Sequence, residues 1–489
     1  MKNFIRILSL VLAVMMIATV LVACGGNEDV TPADDTKDTV AATTEGRDTG
    51  LPAIDWAGEQ FRILGRDYET DMFKNFEVDR EEMPSDVVGV AVWNRNEAIK
   101  TKYGLDIVGT LEAKPSNVAK TFLEAGDDMY DMIIQSPKNM PTFAMQGYLL
   151  NIGMLEHIDF ENDCWNDYAN QQLSMGGKLY YTTNKFLLHD KHRTWMVFYN
   201  REMARELNVG YLETEVFDGT WTMDRLIEIA KIGAAETDGQ DGMSYNDRWG
   251  VAFSSDYCFA QLAFASGFRL SENGSDGYPT FVGATDEMIS ILDKIFELAA
   301  DDNTCFIWNY RPDADKPAGR LDSDIFFEGH TVVLVDVIST FDDMSRGGFE
   351  FGTLPNPKYN EQQENYYSFP NTANGSLFAV PATATDIKKA GFGVEAISEE
   401  SVGTSYEAYI ETKCKLQEVY DQDGAKCLDI IFEGVVYDIA HICDIGGLGT
   451  VIENDLLLQG SNIYARLYSK YERKATNELK TIREAYAAH

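Results

Sequence analysis

The chain has 489 residues and a formal net charge of −38, with 79 acidic residues against 41 Lys and Arg residues. Because hydrophobic residues make up 45% and aromatic residues 12%, it can bury a large core and is not a disordered polymer. So acidic a surface repels polyphosphate, which excludes nucleic acid as a partner and makes an anionic lipid surface a poor one.

The N-terminus carries the pattern of an export leader. Lys2 and Arg6 are the only charged residues before an apolar run over residues 7–23, which is too short and wrongly flanked for a resident membrane helix. The run ends in Leu-Val-Ala-Cys24 and resembles the bacterial lipobox, in which the cysteine receives lipid and becomes the first residue of the mature protein. We therefore predict a lipoprotein signal peptide over residues 1–23 and lipidation of Cys24. An ordinary secretory signal or an uncleaved anchor is the alternative.

Residues 24–54 are predicted to be a flexible acidic linker. They consist largely of Asp, Thr, Ala, Gly and Glu, and so bury too little apolar surface to offset the entropy lost on ordering. The expected location of the protein is the extracellular face of the bacterial cytoplasmic membrane, which it contacts through the lipid anchor only.

The body begins with alternating strands and helices. Apolar alternation predicts strands at residues 60–65, 105–108 and 130–134, and helical spacing predicts helices at 85–102, capped by Ser85, and at 117–125. This order is typical of a mostly parallel α/β sheet, whose ligands bind at the carboxyl ends of the strands. Farther on, Asp276-Gly277 predicts a hairpin turn, and residues 425–442 and 465–488 predict amphipathic helices.

Cysteine and histidine residues give no clear metal or disulfide pattern. Six cysteines remain after Cys24, without a Cys-x-x-Cys pair, and their apolar surroundings favour free thiols over disulfides. His189 and His192 could share a helical face, but the flanking residues 186–188 and 195–199 predict a strand, in which the two rings point to opposite faces. We therefore expect no metal site.

Catalytic motifs are also missing from the sequence. The acidic segments 238–242 and 421–424 are interpreted as turns, since neither has the ligand series of a calcium loop. The chain has no Gly-x-Ser-x-Gly elbow, no Walker loop and no dinucleotide fingerprint. We expect no cofactor and no enzymatic activity.

A series of short motifs resembles, in the same order, those of family 1 extracellular solute-binding proteins, the receptors of ABC importers such as maltose-binding protein. The first is Asp131-Met-Ile-Ile-Gln-Ser, followed by a helix and by Gly147-Tyr-Leu-Leu-Asn-Ile. Matching motifs follow at residues 177–181, 196–200, 220–226, 249–253, 326–334, 349–357 and 377–382. The resemblance covers about residues 60–396, and the tail beyond is bulkier than the family implies.

The resemblance implies a two-lobed periplasmic-binding-protein-like α/β fold with a ligand cleft between lobes, each a mostly parallel sheet flanked by helices. We expect the chain to cross between lobes near residues 187–195, near 349–352 and shortly after 396. The expected first lobe is 55–186 with 350–398. The expected second lobe is 187–349 with 399–489, including the C-terminal helices.

Candidate ligand-binding residues follow the expected strand ends. Sugars need aromatic faces for their C–H surfaces and polar side chains for their hydroxyls. The candidates are Arg66, Asp67, Tyr68, Gln135, Ser136, Arg193, Trp195, Asp256, Tyr257, Asp336, Ser339 and Asn371. Because Gln135 stands where maltose-binding protein has an aromatic residue, the sugar specificity of that protein is not expected here. Trp195 is interpreted as a ligand contact or as packing under the hinge, and Trp93, Trp221 and Trp249 as structural.

The expected function is that of a lipid-anchored, monomeric receptor. It would capture a carbohydrate, expected to be an oligosaccharide, by hinge closure and deliver it to the transmembrane permease subunits of an ABC importer. Three alternatives remain open: a receptor of the same fold for a cationic solute such as a polyamine, a surface enzyme acting on glycans, and a scaffold protein that binds a protein partner.

Overall fold

The computed structural model describes residues 48–67, 74–79, 82–310 and 316–488. The predicted leader, the predicted lipidation site Cys24 and the candidate Tyr68 lie outside these residues, as does the predicted linker up to residue 47. From residue 48 the chain packs on the body: Thr49 is buried, and Leu51, Ile54 and Trp56 contact the core. The expected flexible linker therefore does not extend to residue 54.

The first sheet has the strand order β11-β3-β1-β2. Its strands are β1 (Glu59–Arg66), β2 (Leu105–Glu112), β3 (Met132–Gln135) and β11 (Leu377–Ala379). β1 is parallel to β2 over its whole length, from the pair Glu59↔Leu105 to the pair Arg66↔Glu112, and is also parallel to β3, whereas β11 is antiparallel to β3. The first three strands are those predicted from apolar alternation, and their parallel pairing is confirmed.

The second sheet has the order β10-β4-β9-β5-β8. Its strands are β4 (Trp195–Asn200), β5 (Trp249–Phe253), β8 (Cys305–Ile307), β9 (Thr331–Val337) and β10 (Phe351–Leu354). β5, β8 and β9 are parallel, and β4 is antiparallel to both β9 and β10. A separate hairpin joins β6 (Ser271–Asn273) to β7 (Pro279–Phe281), as the Asp276-Gly277 turn predicted.

Helices flank the sheets and begin at identifiable caps. The first helix is capped by the Asp86 carboxylate, which accepts a hydrogen bond from Gly89 N, rather than by Ser85. The α-helices of the described residues up to 401 are α1 (Val87–Tyr103), α2 (Pro115–Ala125), α3 (Met140–Met145), α4 (Asp167–Leu173), α5 (His189–His192), α6 (Arg201–Glu206), α7 (Leu212–Phe217), α8 (Met223–Gly233), α9 (Tyr257–Ala265), α10 (Asp286–Ala299), α11 (Asp324–Phe327) and α12 (Ile387–Ser401).

The tail continues with helices that pack on the body. They are α13 (Ser405–Glu407), a π-helical segment (Ala408–Glu418), α14 (Gln422–Glu433), α15 (Ile439–Ile442), α16 (Leu448–Thr450), a second π-helical segment (Val451–Asp455), α17 (Leu456–Leu458) and α18 (Tyr464–Ala488). α18 reaches back to the first half of the chain, where Tyr486 packs edge-on against Tyr180. Among the helices of the described residues, none combines the length and apolar character that crossing a bilayer requires.

Several sequence expectations require correction. Residues 351–354 belong to the second sheet, through the pairing of β10 with β4, so the chain returns to the first sheet only at β11 and not near 350. His189 and His192 lie on one helical turn rather than in a strand, with ring centroids 6.4 Å apart. Each ring is held by a hydroxyl: His189 Nδ1 lies 2.9 Å from Ser376 Oγ, and His192 Nδ1 lies 3.0 Å from the Tyr409 hydroxyl.

The tryptophans and cysteines are largely core residues. Trp221 and Trp249 are fully buried, as interpreted from the sequence, and Trp221 Nε1 donates to the Pro355 carbonyl at 2.8 Å. Trp93, which was also interpreted as structural, is half-buried. In the described residues the six cysteines are free thiols, which are Cys164, Cys258, Cys305, Cys414, Cys427 and Cys443.

Candidate functional site

The carboxyl ends of the parallel strands define two edges that face each other. The first edge is formed where β1 and β3 end, and the second where β5, β8 and β9 end, together with the beginning of the antiparallel β4. Two observations place the edges close together. Lys138 Nζ, just after β3, lies 5.5 Å from the centroid of the Tyr257 ring at the start of α9. The charge of Arg66, at the end of β1, also acts on Arg193, just before β4.

A buried guanidinium with two acidic neighbours occupies the second edge. Arg193 is 6% exposed, and its Nη1 donates to Ser339 Oγ at 2.6 Å. Asp336 Oδ1 accepts hydrogen bonds of 2.8 Å from Ser254 Oγ and from the backbone N–H that follows it. Burial lowers the pKa of Arg193 to about 10, although the charges of Asp336 and Asp322 act in the opposite direction. Arg193 is therefore a buried cation on which two carboxyl charges act.

The two acidic neighbours hold their protons more tightly than ordinary carboxyl groups. Burial raises the pKa of Asp322 to about 7, and the negative charge of Asp336 raises it further than burial alone would. Burial also raises the pKa of Asp336. Because the charge of Asp336 acts on Asp322, the protonation of one carboxyl group depends on the charge of the other.

The first edge holds a buried amide without a hydrogen-bond partner. Gln135 is 1% exposed, and neither Oε1 nor Nε2 makes a hydrogen bond within the described protein. The register Leu64↔Ile133, continued by two residues, places Arg66 beside Gln135. Arg66 is 4% exposed, and its Nη1 donates to the Asn374 carbonyl at 3.1 Å. A buried polar group left without a partner costs about 1–3 kcal/mol, so Gln135 suits a ligand that supplies hydroxyls.

A charged cluster surrounds Glu453 where Lys138 meets Tyr257. Glu453 Oε2 lies 2.5 Å from Lys138 Nζ, and Glu453 Oε1 lies 3.2 Å from His441 Nε2 and accepts a 2.8 Å hydrogen bond from Thr372 Oγ1. Burial acts to raise the pKa of Glu453, but the charges and hydrogen bonds of His441 and Lys138 outweigh it and lower the pKa to about 2. Glu453 is therefore a fixed anion that holds Lys138 against the Tyr257 ring.

The remaining candidates have structural partners of their own. Asp67 is half-buried, and its Oδ1 lies 3.6 Å from Lys74 Nζ. Asn371 Oδ1 accepts hydrogen bonds from the two backbone N–H groups at 373 and 374 and so caps that turn. Trp195 is 3% exposed in the core, with Nε1 3.2 Å from the side-chain oxygen of Gln261 once that amide is oriented to satisfy both groups.

Two further candidates lie at the strand ends as expected. Asp256 Oδ1 accepts a 2.9 Å hydrogen bond from Asn309 Nδ2, which ties the start of α9 to the segment after β8. Ser136 is 6% exposed, and its carbonyl accepts from Asn139 N at 3.0 Å. Their roles toward a ligand remain predictions.

Sequence reasoning missed Lys138, Asp322 and Glu453. Lys138 follows Ser136 by two residues, so its place after the third strand was a usable signal. Asp322 lies in a polar turn before α11, and Glu453 lies in the tail, where the family motifs have ended. Nothing in the local pattern of either segment indicates that it reaches the strand ends.

Comparison with solved structures confirms the fold class. The galacto-N-biose/lacto-N-biose I-binding protein of an ABC transporter from Bifidobacterium longum, in complex with lacto-N-biose, is 13% identical with a TM-score of 0.56, and covers 88% of this chain and 98% of its own. An ABC substrate-binding protein from Listeria monocytogenes, in complex with cycloalternan, is 15% identical with a TM-score of 0.51, over 88% of this chain and 99% of its own.

A third match is the maltose/maltodextrin-binding domain from Bdellovibrio bacteriovorus bound to maltotriose. It is 14% identical with a TM-score of 0.51, and covers 87% of this chain and 99% of its own. No family model and no curated protein matches the chain. The chain therefore has the two-lobed, periplasmic-binding-protein-like α/β fold of ABC sugar-binding proteins, and at these identities the likeness establishes the fold alone.

Proposed function

We propose that the chain is a family 1 extracellular solute-binding protein that captures an oligosaccharide between the two strand edges and delivers it to an ABC import permease. Hinge closure would follow because a ligand that contacts both edges binds the closed arrangement better than the open one. In this proposal the two sheets are the cores of the two lobes, Cys24 carries the lipid anchor at the extracellular face of the membrane, and the protein acts as a monomer.

The observation that carries the proposal is the buried, unpartnered amide of Gln135 beside Arg66, at the edge that faces Arg193 and Asp336. A sugar offers several hydroxyls that both donate and accept, which is what an amide, a guanidinium and a carboxyl group require. The fold similarity to proteins solved with lacto-N-biose, cycloalternan and maltotriose supports the same ligand class.

The alternatives are less well supported by the same residues. A cationic ligand such as a polyamine would meet Arg66, Arg193 and Lys138, which repel it. The carboxyl groups of Asp322 and Asp336 are the pair that a glycan-active enzyme would need, and release of reducing ends from a bound glycan would establish that function. The matched structures are described as binding proteins, which favours binding without turnover.

The test is a thermal-shift panel on the chain from residue 25 onward, stripped of ligand by unfolding and refolding. The panel holds oligosaccharides of several linkages, polyamines, amino acids and short peptides. A ligand at 100 times its Kd stabilises the folded state by about 2.7 kcal/mol, which raises the melting temperature by a few degrees. We expect a shift with one class of glycan and no release of reducing ends. Shifts with polyamines alone, or with nothing in a folded sample, would contradict the proposal.

Gln135→Leu makes the panel specific to the site. Because the amide lacks partners, replacing it with an apolar side chain of similar size should raise the ligand-free stability by about 1 kcal/mol and weaken glycan binding by about tenfold or more. Gln146→Leu, the same change at an exposed position, should alter neither quantity. A Gln135→Leu protein that binds glycan as tightly as the wild type would remove Gln135 from the site.

A further inference from the structure

Three side chains able to ligate a metal ion meet outside the residues of the proposed sugar site. Cys164 lies in the loop before α4, and Glu395 and Glu399 lie one turn apart on the same face of α12. Cys164 is fully buried, Glu395 is 1% exposed and Glu399 is 2% exposed. One ligand atom from each of the three lies within 4.8 Å of the others.

The cluster places two buried carboxyl groups next to a buried thiol. Burial raises the pKa of Glu395 and of Cys164, and the charge of Glu399 raises both further. Each ionised carboxylate taken out of water costs several kcal/mol unless an opposite charge compensates it. A divalent cation would compensate both carboxylates at once.

One of the carboxylates is already oriented, as metal ligands usually are. Glu395 Oε1 accepts a 2.6 Å hydrogen bond from Asn162 Nδ2, and Glu395 Oε2 accepts a 3.0 Å hydrogen bond from Trp165 Nε1. These donors flank Cys164 in sequence, so the loop that carries the thiol also fixes the carboxylate. Hydrogen bonds of this kind, from residues behind the ligands, set ligand direction in metal sites.

A cavity adjoins the cluster at Cys164. Its volume is about 270 Å³, and its wall includes Cys164, Trp165, Asn166 and Asn184. A metal ion could enter through it and keep a water molecule as a further ligand. Because Zn²⁺ binds thiolate at about 2.3 Å and carboxylate at about 2.0–2.2 Å, the three atoms must draw to roughly 3.5 Å apart, which rotation of the glutamate side chains can supply.

We propose that Cys164, Glu395 and Glu399 form a binding site for one divalent, thiolate-accepting metal ion of the zinc type. A thiolate with two carboxylates and an open position matches the ligand preferences of Zn²⁺ rather than those of Ca²⁺ or Mg²⁺, which take oxygen ligands alone. The bound ion links the loop at 162–166 to α12, and so it stabilises the half of the protein built on the first sheet. The site does not depend on the proposed sugar-binding function.

Cobalt titration of the chain from residue 25 onward tests the site directly. Bound to a thiolate, Co²⁺ gives a sulfur-to-metal charge-transfer band in the near ultraviolet, which carboxylates alone do not give. We expect one Co²⁺ per chain with this band, loss of the band on addition of Zn²⁺, and a higher melting temperature with either metal. A wild-type protein that binds Co²⁺ without the band, or binds none, overturns the proposal.

Variants separate the cluster from other metal-binding groups of this acidic chain. Cys164→Ser should abolish the band, and Glu399→Gln, which keeps the shape of the side chain, should weaken Co²⁺ binding by about tenfold or more. Cys427→Ser removes a buried thiol outside the cluster and should change neither the band nor the affinity. Should Cys164→Ser fail to fold, Glu399→Gln alone decides. If Glu399→Gln shows the band and binds Co²⁺ with unchanged affinity, that carboxylate is excluded from the site.

Discussion

Two buried glutamates on the described chain have opposite electrostatic surroundings. Glu453, at the end of the edge formed by β3, contacts Lys138 and His441, and its pKa is lowered to about 2. Glu77 is fully buried near the end of β1, and burial raises its pKa to about 7. The two acids are almost equally shielded from water, so their difference comes from their partners.

The partners of Glu77 are weaker. Its Oε1 accepts hydrogen bonds of 3.3 Å from Asn75 Nδ2 and 3.4 Å from His189 N, and its Oε2 has no partner among the described residues. The nearby Arg95 guanidinium donates at 2.7 Å to the Glu77 backbone carbonyl and not to its carboxylate. Burial of an acid therefore opposes its charge unless a cation contacts the carboxylate itself. The surroundings of Glu453 therefore stabilise its ionised form, whereas those of Glu77 stabilise its protonated form.

The largest expected effect is that of removing Glu453. Glu453→Ala leaves the partly buried Lys138 without its anion and the buried His441 ring without its carboxylate neighbour, so the free energy of unfolding at pH 7 should fall by about 3–5 kcal/mol. Glu77→Ala removes an acid with only weak hydrogen bonds and should cost about 1–2 kcal/mol. Urea denaturation of both variants measures the difference. Equal losses of stability in the two variants would mean that the contact between Lys138 and Glu453 does not make Glu453 the more stabilising of the two acids.

The pH dependence of stability should differ in sign between the two acids. Glu453 has a lowered pKa, so the stability it contributes is present above about pH 4.5 and is lost as pH falls toward 2. Glu77 has a raised pKa, so its contribution is present below about pH 4.5 and is lost as pH rises toward 7. Each change is on the order of 3 kcal/mol.

Melting curves of Glu453→Gln and Glu77→Gln between pH 2.5 and 8 separate these two windows. Compared with the wild type, Glu453→Gln should flatten the acid side of the stability profile, and Glu77→Gln should flatten the side between pH 4.5 and 7. A profile that either substitution leaves unchanged would contradict the pKa direction assigned to that acid.

The smallest expected effect is that of removing the Thr372 hydroxyl, which donates a hydrogen bond to Glu453. Thr372→Val keeps the shape of the side chain but removes its 2.8 Å hydrogen bond to Glu453 Oε1, which should lower the free energy of unfolding by about 1.5 kcal/mol. Thr372→Ser retains the hydroxyl and is the matched control. A Val variant as stable as the Ser variant would show that Lys138 and His441 satisfy Glu453 without Thr372.

Local patterns in the sequence predict local structure well here. Alternation identified the strands that became β1, β2 and β3, and Asp276-Gly277 marked the hairpin, because each depends on a few neighbouring residues. The strand predicted around His189 and His192 was wrong, because the apolar residues on both sides suggested a continuous strand. In the structure, the N–H of His192 instead bonds to the Leu188 carbonyl and closes a helical turn.

The candidate site was predictable only in part, for a related reason. Gln135 and Arg193 could be found because a strand end places them. Lys138 and Glu453 are 315 residues apart, and no periodicity relates them. The same holds for Cys164 with Glu395, which only the fold brings together. Pairs of this kind depend on how the two sheets and the tail assemble. Contacts between residues so far apart leave no local pattern in a single sequence.

The long tail has a kinetic consequence. Lys178 donates to the carbonyl of Tyr486, 308 residues later, and the edge strand β11 of the first sheet joins β3 only after the whole second sheet has been made. The second sheet is complete in sequence by residue 354, so it can pair before the edge strand of the first sheet has been synthesised. Because contacts of long sequence separation form slowly, we expect the pairing of β11 with β3 and the docking of α18 to be late steps of folding.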